Sequence, residues 1–272
     1  MHRLGTVLPV AFTGQPGAYS EEAALRRFGS AAPTLTCGSS AEALAAVAEG
    51  RASHAVIAVE NSITGPFDGP VESLFNEDRV SVVGEVALPI RHCLLGAHGS
   101  RLDEVAVVAS HQSALSQCRD FLASWGVATR PAQDTAQAAR ELGTNRDAAL
   151  GVIGSRTLAE IYDLDVLAEG IADRPDNVNR FLVVARNPES ESSGRRTTVL
   201  VGPVLAPRAL KTLRIQLEAY GASRVRVPFL GSSDGRSHLI EFDHRTGLGA
   251  ELCERACARL PHRYLGSWEP AA

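Results

Sequence analysis

The chain has 272 residues, of which 44% are hydrophobic, an ordinary share for a globular protein and enough for two or three core-bearing units. Its formal net charge of -4 and sequence pI near 6.1 provide no basic surface for a nucleic acid, so polyanionic partners are excluded. The apolar segment 6–12 is too short for a membrane span and lacks the layout of a signal peptide, which predicts a cytoplasmic protein with no membrane partner.

The basic residues indicate which ligands the protein could bind, and the cysteines indicate whether it contains disulfides or a metal site. Lys211 is the only lysine among 27 basic residues, and arginine suits small acidic ligands because its planar fork binds carboxylates through two parallel hydrogen bonds. The cysteines are odd in number and scattered: Cys37, Cys93, Cys118, Cys253 and Cys257. Since they form no Cys-x-x-Cys motif and no metal-like pairing with histidine, we expect reduced thiols and no metal site.

The first third of the chain alternates short β-branched runs with helical patterns, which is typical of α/β layers. Strands are predicted at 6–13, 54–59, 80–88 and 91–96, and helices after Ser20, at 40–48 and at 66–76. Ser20 is predicted to cap the first helix, because Glu21 and Glu22 then fall in the first turn, where acids complement the helix dipole.

A second α/β unit begins near residue 102, and a smaller module ends the chain. In the second unit, strands are predicted at 105–109, 148–153, 166–168 and 181–185, and helices at 111–125, at 135–142 and after Ser155. The segment 187–194, rich in Ser, Glu and Pro, is predicted to be a linker. Beyond it, strands at 197–202, 225–229 and 238–242, a helix through 217 and a last helix at 252–259 favour a ferredoxin-like module.

Polar segments stand at the ends of the predicted strands. Five loops share this placement: 14–20, 60–65, 110–117, 154–155 and 176–180. Taken singly, each could be only a turn or a helix cap. Taken together, they offer hydroxyls, amides and helix N-terminal N–H groups but almost no free acids, at the edge of the sheet where α/β proteins bind ligands. This pattern predicts a cleft for an anion.

Several kinds of catalytic site are disfavoured by the sequence. It contains no paired-carboxylate site, no metal cluster and no phosphate-binding loop of standard spacing. The sequence contains no Gly-x-Ser-x-Gly nucleophile motif. Ser110 and His111 are neighbours in the sequence, but this alone does not give the geometry of a catalytic serine and histidine. A mechanism that depends on positioning and hydrogen bonding, without a cofactor, is what remains.

These loops lie in motifs that resemble the prephenate dehydratase family, which includes the arogenate dehydratases. The matching segments keep the family's order and spacing: VAFTGQPGAYSEEAA (10–24), IAVENSITGPF (57–67), SHQSALSQC (110–118), QDTAQAA (133–139), AALGVIGSRTLAEIYDL (148–164) and DNVNRFLVVAR (176–186). The tail, ending in YLGSWEP (264–270), is similar to the regulatory ACT domain that follows the catalytic part in this family.

The resemblance implies an α/β protein with two lobes, like a type II periplasmic binding protein, followed by a ferredoxin-like (βαββαβ) ACT domain. The implied boundaries are 1–187 for the catalytic domain, with a first lobe of about 1–90 plus 170–187 and a second of about 91–169, then 188–194 for a linker and 195–272 for the ACT-like domain. Because ACT modules usually pair, a homodimer or homotetramer is expected.

The resemblance also implies prephenate as the substrate, bound between the lobes. The family's dehydratases eliminate the ring hydroxyl together with the ring carboxylate, and the threonine of a Thr-Arg-Phe motif assists departure of the hydroxyl. This chain has Asn179, Arg180 and Phe181 at that place. A hydroxyl can relay a proton to a leaving oxygen, whereas a carboxamide can bond to that oxygen but is too weak an acid to protonate it.

We therefore predict a non-aromatising prephenate decarboxylase, a branch of the family that resembles this chain in lacking the threonine. Such enzymes keep the ring hydroxyl and make dihydro-4-hydroxyphenylpyruvate for specialised metabolites such as antibiotics. The segments 206–210 and 224–228 depart from the motifs with which the family's ACT domain senses phenylalanine, which puts feedback in doubt. The alternatives are a prephenate dehydratase of phenylalanine biosynthesis and a non-catalytic sensor of an aromatic-pathway acid.

The predicted roles follow from this interpretation. Arg180 pairs with a substrate carboxylate, Asn179 holds the ring hydroxyl without protonating it, Phe181 leans on the ring, and His111 is the candidate proton donor because imidazole titrates near neutrality. The remaining predicted substrate-binding residues are Ser20, Asn61, Ser62, Ser110, Gln112, Ser113, Gln117 and Ser155.

Overall fold

The fold is mixed α/β, as predicted. The structure is a computed structural model, and it describes residues 7–186, 194–202, 207–227, 238–245, 247–258 and 260–270. The strands of these residues are β1 Val10–Thr13, β2 Thr34–Cys37, β3 His54–Asn61, β4 Gly65–Pro66, β5 Val80–Pro89, β6 Cys93–Ala97, β7 Val107–His111, β8 Ala128–Ala132, β9 Leu150–Gly154, β10 Leu164–Glu169, β11 Val178–Arg186, β12 Arg196–Val201, β13 Ser223–Arg226, β14 His238–Asp243 and β15 His262–Trp268.

Helices cover both faces of the two sheets in the first 186 residues and one face of the third sheet. They are α1 Tyr19–Phe28, α2 Ser40–Ala48, α3 Asp68–Asn76, α4 Gln112–Gln117, α5 Arg119–Trp125, α6 Thr135–Asn145, α7 Arg156–Tyr162, α8 Pro207–Ala219 and α9 Gly249–Cys257. A 3-10 turn at Leu102–Glu104 precedes β7.

Two sheets form the two lobes of the first 186 residues. The first lobe has the strand order β2-β1-β3-β11-β5, with β4 added to β3, and the second has the order β10-β6-β9-β7-β8. The chain passes from the first lobe to the second through 90–92 and returns through 170–177. We call these two segments the hinge. The carboxyl ends of β1 and β3 and the start of β11 therefore face the second lobe, because β11 runs antiparallel to β3.

The remaining residues form a separate sheet, which we call the C-terminal unit. Its element order from β12 to β15 is β-α-β-β-α-β and its sheet order is β13-β14-β12-β15, the ferredoxin-like arrangement predicted from the sequence. One face of this sheet joins the apolar core beneath the first lobe, where Leu200, Leu265 and Trp268 pack with Ile57 and Leu182.

Two local expectations were wrong. Ser20 does not cap α1, because the capping residue is Ala18 and the Ser20 hydroxyl donates instead to the carbonyl oxygen of Thr13 at 2.6 Å. Predicted helix 111–125 is broken into α4 and α5, since both Asp173 carboxylate oxygens accept backbone N–H groups at the start of α5, from Arg119 at 3.2 Å and Asp120 at 3.0 Å.

Some predictions fall on residues outside the described ranges. The predicted linker is described only at Gly194, and the end of the strand predicted at 225–229 and the start of the segment 206–210 are not described. Within the described ranges, no helix is long and apolar enough to cross a membrane.

All five cysteines are free and buried, and we expect them to be unreactive in the native protein. Burial raises the pKa of Cys118 to about 12 and that of Cys257 to about 11, which keeps these thiols protonated at neutral pH. With an aromatic disulfide reagent at pH 8, no thiol should react rapidly in the folded state and all five should react after denaturation. Fast labelling of a native thiol would contradict this packing.

Candidate active site at the hinge

Asn61, the last residue of β3, is the centre of the polar residues at the hinge. Its buried side chain donates from Nδ2 to the Oδ1 atoms of Asn177 at 2.6 Å and Asn179 at 2.7 Å. Its own Oδ1 accepts the backbone N–H groups of Ile63 and Thr64, each at 2.9 Å. Every donor and acceptor of this amide is therefore used, and it ties the turn after β3 to the start of β11.

Asn179 keeps hydrogen-bonding capacity for a ligand. Its Oδ1 accepts one hydrogen bond, from Asn61, and its Nδ2 amide group has no partner among the described residues. The side chain is partly exposed, and on β11 it lies opposite Asn61 of β3 and Leu88 of β5. The residue thus presents an amide donor, beside the second lone pair of its oxygen.

The amides continue into a chain that joins the two lobes. Asn177 donates to Oε1 of Gln117, in α4, at 3.0 Å, and the same oxygen lies 2.8 Å from Nε2 of His92 in the hinge. His92 Nδ1 lies 3.1 Å from the hydroxyl of Tyr19 at the start of α1. We call Tyr19, His92, Gln117, Asn177, Asn61 and Asn179 the polar chain.

The direction of donation along the polar chain follows from the partners. Gln117 Oε1 can only accept, so His92 carries its proton on Nε2, and its Nδ1 is an acceptor for the Tyr19 hydroxyl, which also lies 3.1 Å from the Arg91 carbonyl oxygen. Burial lowers the pKa of His92, which favours this neutral ring, and burial also raises the pKa of Tyr19, which keeps its hydroxyl protonated. The chain is therefore uncharged at neutral pH.

Acid should weaken the protein through His92. Because the pKa of His92 is lower in the folded protein than its usual value of about 6.5, the unfolded chain binds more protons below that pH and stability falls as pH decreases. The loss is at most about 1.4 kcal/mol per pH unit for this one group. Urea unfolding at pH 7.5 and 5.5 should show a smaller loss for His92→Gln than for the native protein. Equal losses would show that His92 does not carry this dependence.

The loop between β1 and α1 brings the lobes into contact. Gly17 has a φ of +86°, and a Cβ there would lie 2.5 Å from a methyl carbon of Leu158 in α7. The neighbouring Pro16 carbonyl accepts from the Tyr162 hydroxyl at 2.8 Å. Glycine at 17 thus permits a backbone conformation and an approach that another residue would obstruct.

A cavity of 540 Å³ lies beside the hinge, within the size range of small-molecule sites. Its lining comes from α1, the end of β5, Glu169 of β10, the hinge and the start of α7, and includes Glu22, Leu88, Arg91 and Ser155. The Ser155 hydroxyl is buried and has no hydrogen-bond partner in the described structure. Arg91 is exposed and forms no ion pair with the described residues. An unpaired cation and a buried hydroxyl without a partner are groups that can bind a small anion.

The structure corrects the roles predicted for two residues of β11. The Arg180 guanidinium contacts the carboxylates of Glu85 and Glu241, so it is already neutralised and is not available to a substrate carboxylate. Phe181 is buried in an apolar cluster with Ala23 and Val56, so it cannot lean on a ligand ring.

Other predicted residues hold the protein together at the same edge. Ser62 donates to the carbonyl of Asp176 and accepts from the N–H of Val178, and the fully buried Ser110 donates to the carbonyl of Ile153. Asn61 is likewise occupied within the polar chain, as is Oε1 of Gln117. These contacts shape the site and are not available to a ligand.

The predicted residues at the start of α4 remain accessible. His111, Gln112 and Ser113 are exposed, and Nδ1 of His111 lies 2.7 Å from the Ser113 hydroxyl. The Gln112 side chain donates from Nε2 to the Ser116 hydroxyl at 3.4 Å. No group of three or more metal-ligating side chains occurs in the part of the chain that the structure describes.

Sequence reasoning missed Tyr19, Arg91 and His92. His92 stands with Arg91 between two apolar runs, AL-P-I before and CLLG after, and polar residues inside such a run are a signal for a buried polar group or a site. Asn177 belongs to the polar chain through its bonds to Asn61 and Gln117.

Comparisons with known proteins point to one family. The family model described as "Prephenate dehydratase" matches residues 10–189. "Arogenate dehydratase/prephenate dehydratase 1, chloroplastic" of Arabidopsis thaliana is 40% identical over 179 residues, which are 66% of this chain and 45% of the relative. The chain thus corresponds to about half the length of that curated relative.

Two solved structures share the fold across most of both chains. The prephenate dehydratase of Arthrobacter aurescens, solved in complex with L-Phe, is 26% identical with a TM-score of 0.81, and the match covers 96% of this chain and 90% of the other. GqqA, described as a novel type of quorum quenching acylase, is 28% identical with a TM-score of 0.80, covering 96% and 98%.

Proposed function

Because the chain belongs to the prephenate dehydratase family, we propose that it acts on prephenate as a non-aromatising decarboxylase. It removes carbon dioxide from the ring and leaves the ring hydroxyl in place, giving dihydro-4-hydroxyphenylpyruvate. The observation that carries this proposal is Asn179, which stands where the family's motif has threonine and whose amide N–H can donate a hydrogen bond but is too weak an acid to transfer its proton.

The amide of Asn179 binds the ring hydroxyl but does not help it to leave. Departure of the hydroxyl requires a proton on its oxygen, and a positioned acid typically contributes 10²–10⁴-fold to such a step. An amide N–H can donate a hydrogen bond to that oxygen but does not transfer its proton. The Asn179 oxygen accepts from Asn61, and the amide N–H group has no partner among the described residues.

Loss of carbon dioxide does not require a group that protonates the ring hydroxyl. The bond between the ring and its carboxylate breaks, the electron pair enters the ring system, and a proton adds to a ring carbon. The reaction is favoured when the ring carboxylate is poorly solvated and the rest of the substrate is held firmly. We assign the side-chain carboxylate to Arg91 and Ser155, since both line the cavity and neither has a partner among the described residues.

We assign the protonation of the ring to His111, with Gln112 and Ser113 as neighbours that can bind substrate oxygens. The exposure of these three residues at the start of α4, and the contact between His111 and Ser113, support the assignment.

A dehydratase is the second candidate. It is favoured by the names of the relatives, which are arogenate or prephenate dehydratases in plants and a bifunctional chorismate mutase/prephenate dehydratase in Neisseria gonorrhoeae. In that case a group other than Asn179 would protonate the departing hydroxyl. A sensor that binds prephenate without converting it is the remaining alternative.

The three candidate functions differ in whether carbon dioxide is released and whether an aromatic product is formed. The experiment incubates the protein with prephenate at neutral pH and follows carbon dioxide and aromatic ring absorbance together, with a protein-free blank for spontaneous aromatisation. Carbon dioxide without an aromatic product is the expected result. Equal amounts of both identify a dehydratase, and saturable binding with neither identifies a sensor.

We also propose that the C-terminal unit is an ACT domain and that it pairs copies of the chain into a dimer or tetramer in the cytoplasm. The ferredoxin-like order of its elements supports this assignment. The product is assigned to specialised metabolism, because an enzyme that keeps the ring hydroxyl does not supply phenylalanine.

A further inference from the structure

Charged residues stand directly beside the two asparagines that define the site. Glu60 precedes Asn61 and Arg180 follows Asn179, and both neighbouring pairs lie opposite each other across β3 and β11. Successive strand residues point to opposite faces of a sheet, so the charged pair faces away from the amide pair. This back face is the one that the C-terminal unit covers.

The C-terminal unit meets these residues with charges of the opposite sign. Arg180 contacts Glu241 of β14, Arg226 of β13 binds Glu60 at 2.7 Å, and Arg196 of β12 binds Glu85 of β5 at 2.7 Å. Glu85 also binds Arg180, at 2.8 Å. We call these six residues the charged cluster.

The centre of the charged cluster is removed from water. The side chains of Arg180, Glu85 and Glu241 are 11%, 14% and 5% exposed. Thr198 donates a further hydrogen bond to Glu241 at 3.2 Å. Breaking a buried pair by removing one partner is costly, because the other charge is left without compensation.

Close packing holds the C-terminal unit against the first lobe at the same place. A Cβ on Gly266 of β15 would lie 2.3 Å from the carbonyl oxygen of Val82 in β5, so the two backbones approach as closely as glycine allows. The charged cluster therefore has little freedom to shift relative to β5.

From these contacts we infer that the C-terminal unit positions the two asparagine amides of the site. Glu241 acts through Arg180 and fixes the start of β11, which carries Asn179. Arg226 acts through Glu60 and fixes the end of β3, which carries Asn61. Arg180 is a positioning residue and does not touch the substrate. The inference rests on the proposed function for the role of Asn179, while the mechanical coupling between the unit and the two strands is independent of it.

The experiment compares Glu241→Gln with Glu251→Gln. Glutamine keeps the shape of Glu241 and removes the charge that faces Arg180. Glu251 is an exposed acid of the same unit, in α9, whose only described ion pair is with Arg255. The first measurement is backbone hydrogen exchange in peptides covering 60–64 and 178–181, and the second is kcat and KM for carbon dioxide release from prephenate.

Glu241→Gln should speed exchange in both peptides and lower kcat by on the order of 10- to 100-fold, with a smaller change in KM, because misplaced groups lose reactivity before they lose binding. Glu251→Gln should change neither. If Glu241→Gln does not fold, Arg226→Gln replaces it, since Arg226 is half exposed and its loss removes only the contact with Glu60 and the longer contact with Glu241.

Native exchange and a native kcat in the folded variant would overturn the inference. A fall in kcat without faster exchange in either peptide would also overturn it, because the effect would then not pass through β3 and β11. Faster exchange in a protein whose native form releases no carbon dioxide would leave the coupling standing and would refute the proposed function alone.

Discussion

Asn179→Thr is expected to convert prephenate to phenylpyruvate. A threonine hydroxyl can donate its own proton while accepting another, so it can relay a proton to the departing ring hydroxyl, which the amide cannot do. Its oxygen can also accept the hydrogen bond that Asn61 now gives to Asn179, so the polar chain is preserved. The rate of aromatic product formation should rise by on the order of 10²-fold over the native protein.

The matched control for this change is Asn179→Val, which has the shape of threonine but no hydroxyl. It should form no more aromatic product than the native protein. Thermal unfolding of both variants checks that they are folded, since valine leaves one Asn61 N–H without its partner. Aromatic product from the valine variant, or none from a folded threonine variant that still releases carbon dioxide, would remove Asn179 as the block.

Asn61→Leu should cause the largest loss of stability. Leucine has the same branching at Cγ but can neither donate to Asn177 and Asn179 nor accept the N–H groups of Ile63 and Thr64. Each buried polar group left without a partner costs about 1–3 kcal/mol, so the free energy of unfolding should fall by about 3 kcal/mol or more. Carbon dioxide release should fall with it, because nothing then fixes the Asn179 amide.

The measurement is urea unfolding of the native protein, Asn61→Leu and Asn145→Leu. Asn145 ends α6, is exposed and forms no described side-chain hydrogen bond, so its replacement should change stability by less than about 0.5 kcal/mol. An Asn61→Leu midpoint equal to that of Asn145→Leu would show that the amide is not the centre of the site.

Most of the fold could be predicted because hydrophobic periodicity and capping residues are local signals. α2 begins and ends where predicted, at Ser40 and Ala48, and its Ser39 cap accepts the N–H of Glu42 at 3.2 Å. β2 was missed because it has only four residues, and β8 was missed because it is an exposed edge strand that contains Pro131. β15 was also not identified.

The break in predicted helix 111–125 depends on a contact with a residue that is distant in sequence, so no local pattern indicates it. No glycine or proline marks the break between α4 and α5, since the residue that caps α5 is Asp173, 53 residues away from Asp120. The contact forms because the hinge segment 170–177 passes beside the start of α5.

The candidate site shows the same limit. The polar loops beside the predicted strands indicated a common site for Asn61 and Asn179, and the two side chains are in contact because β11 starts beside the end of β3, to which it runs antiparallel. The sequence could not show that Arg180 faces the C-terminal unit, since that depends on which face of β11 the unit covers. Arg91 and His92 were overlooked because they lie in a connection between two strands.

The central claim is that the site binds the ring hydroxyl without protonating it, and the product formed in D₂O tests this most directly. A decarboxylase that keeps the hydroxyl must add one solvent hydrogen to a ring carbon, whereas a dehydratase adds none to carbon. Proton NMR of the native protein's product should show a non-aromatic ring that retains the carbinol hydrogen and carries one deuterium. Phenylpyruvate without ring deuterium as the main product would contradict the account.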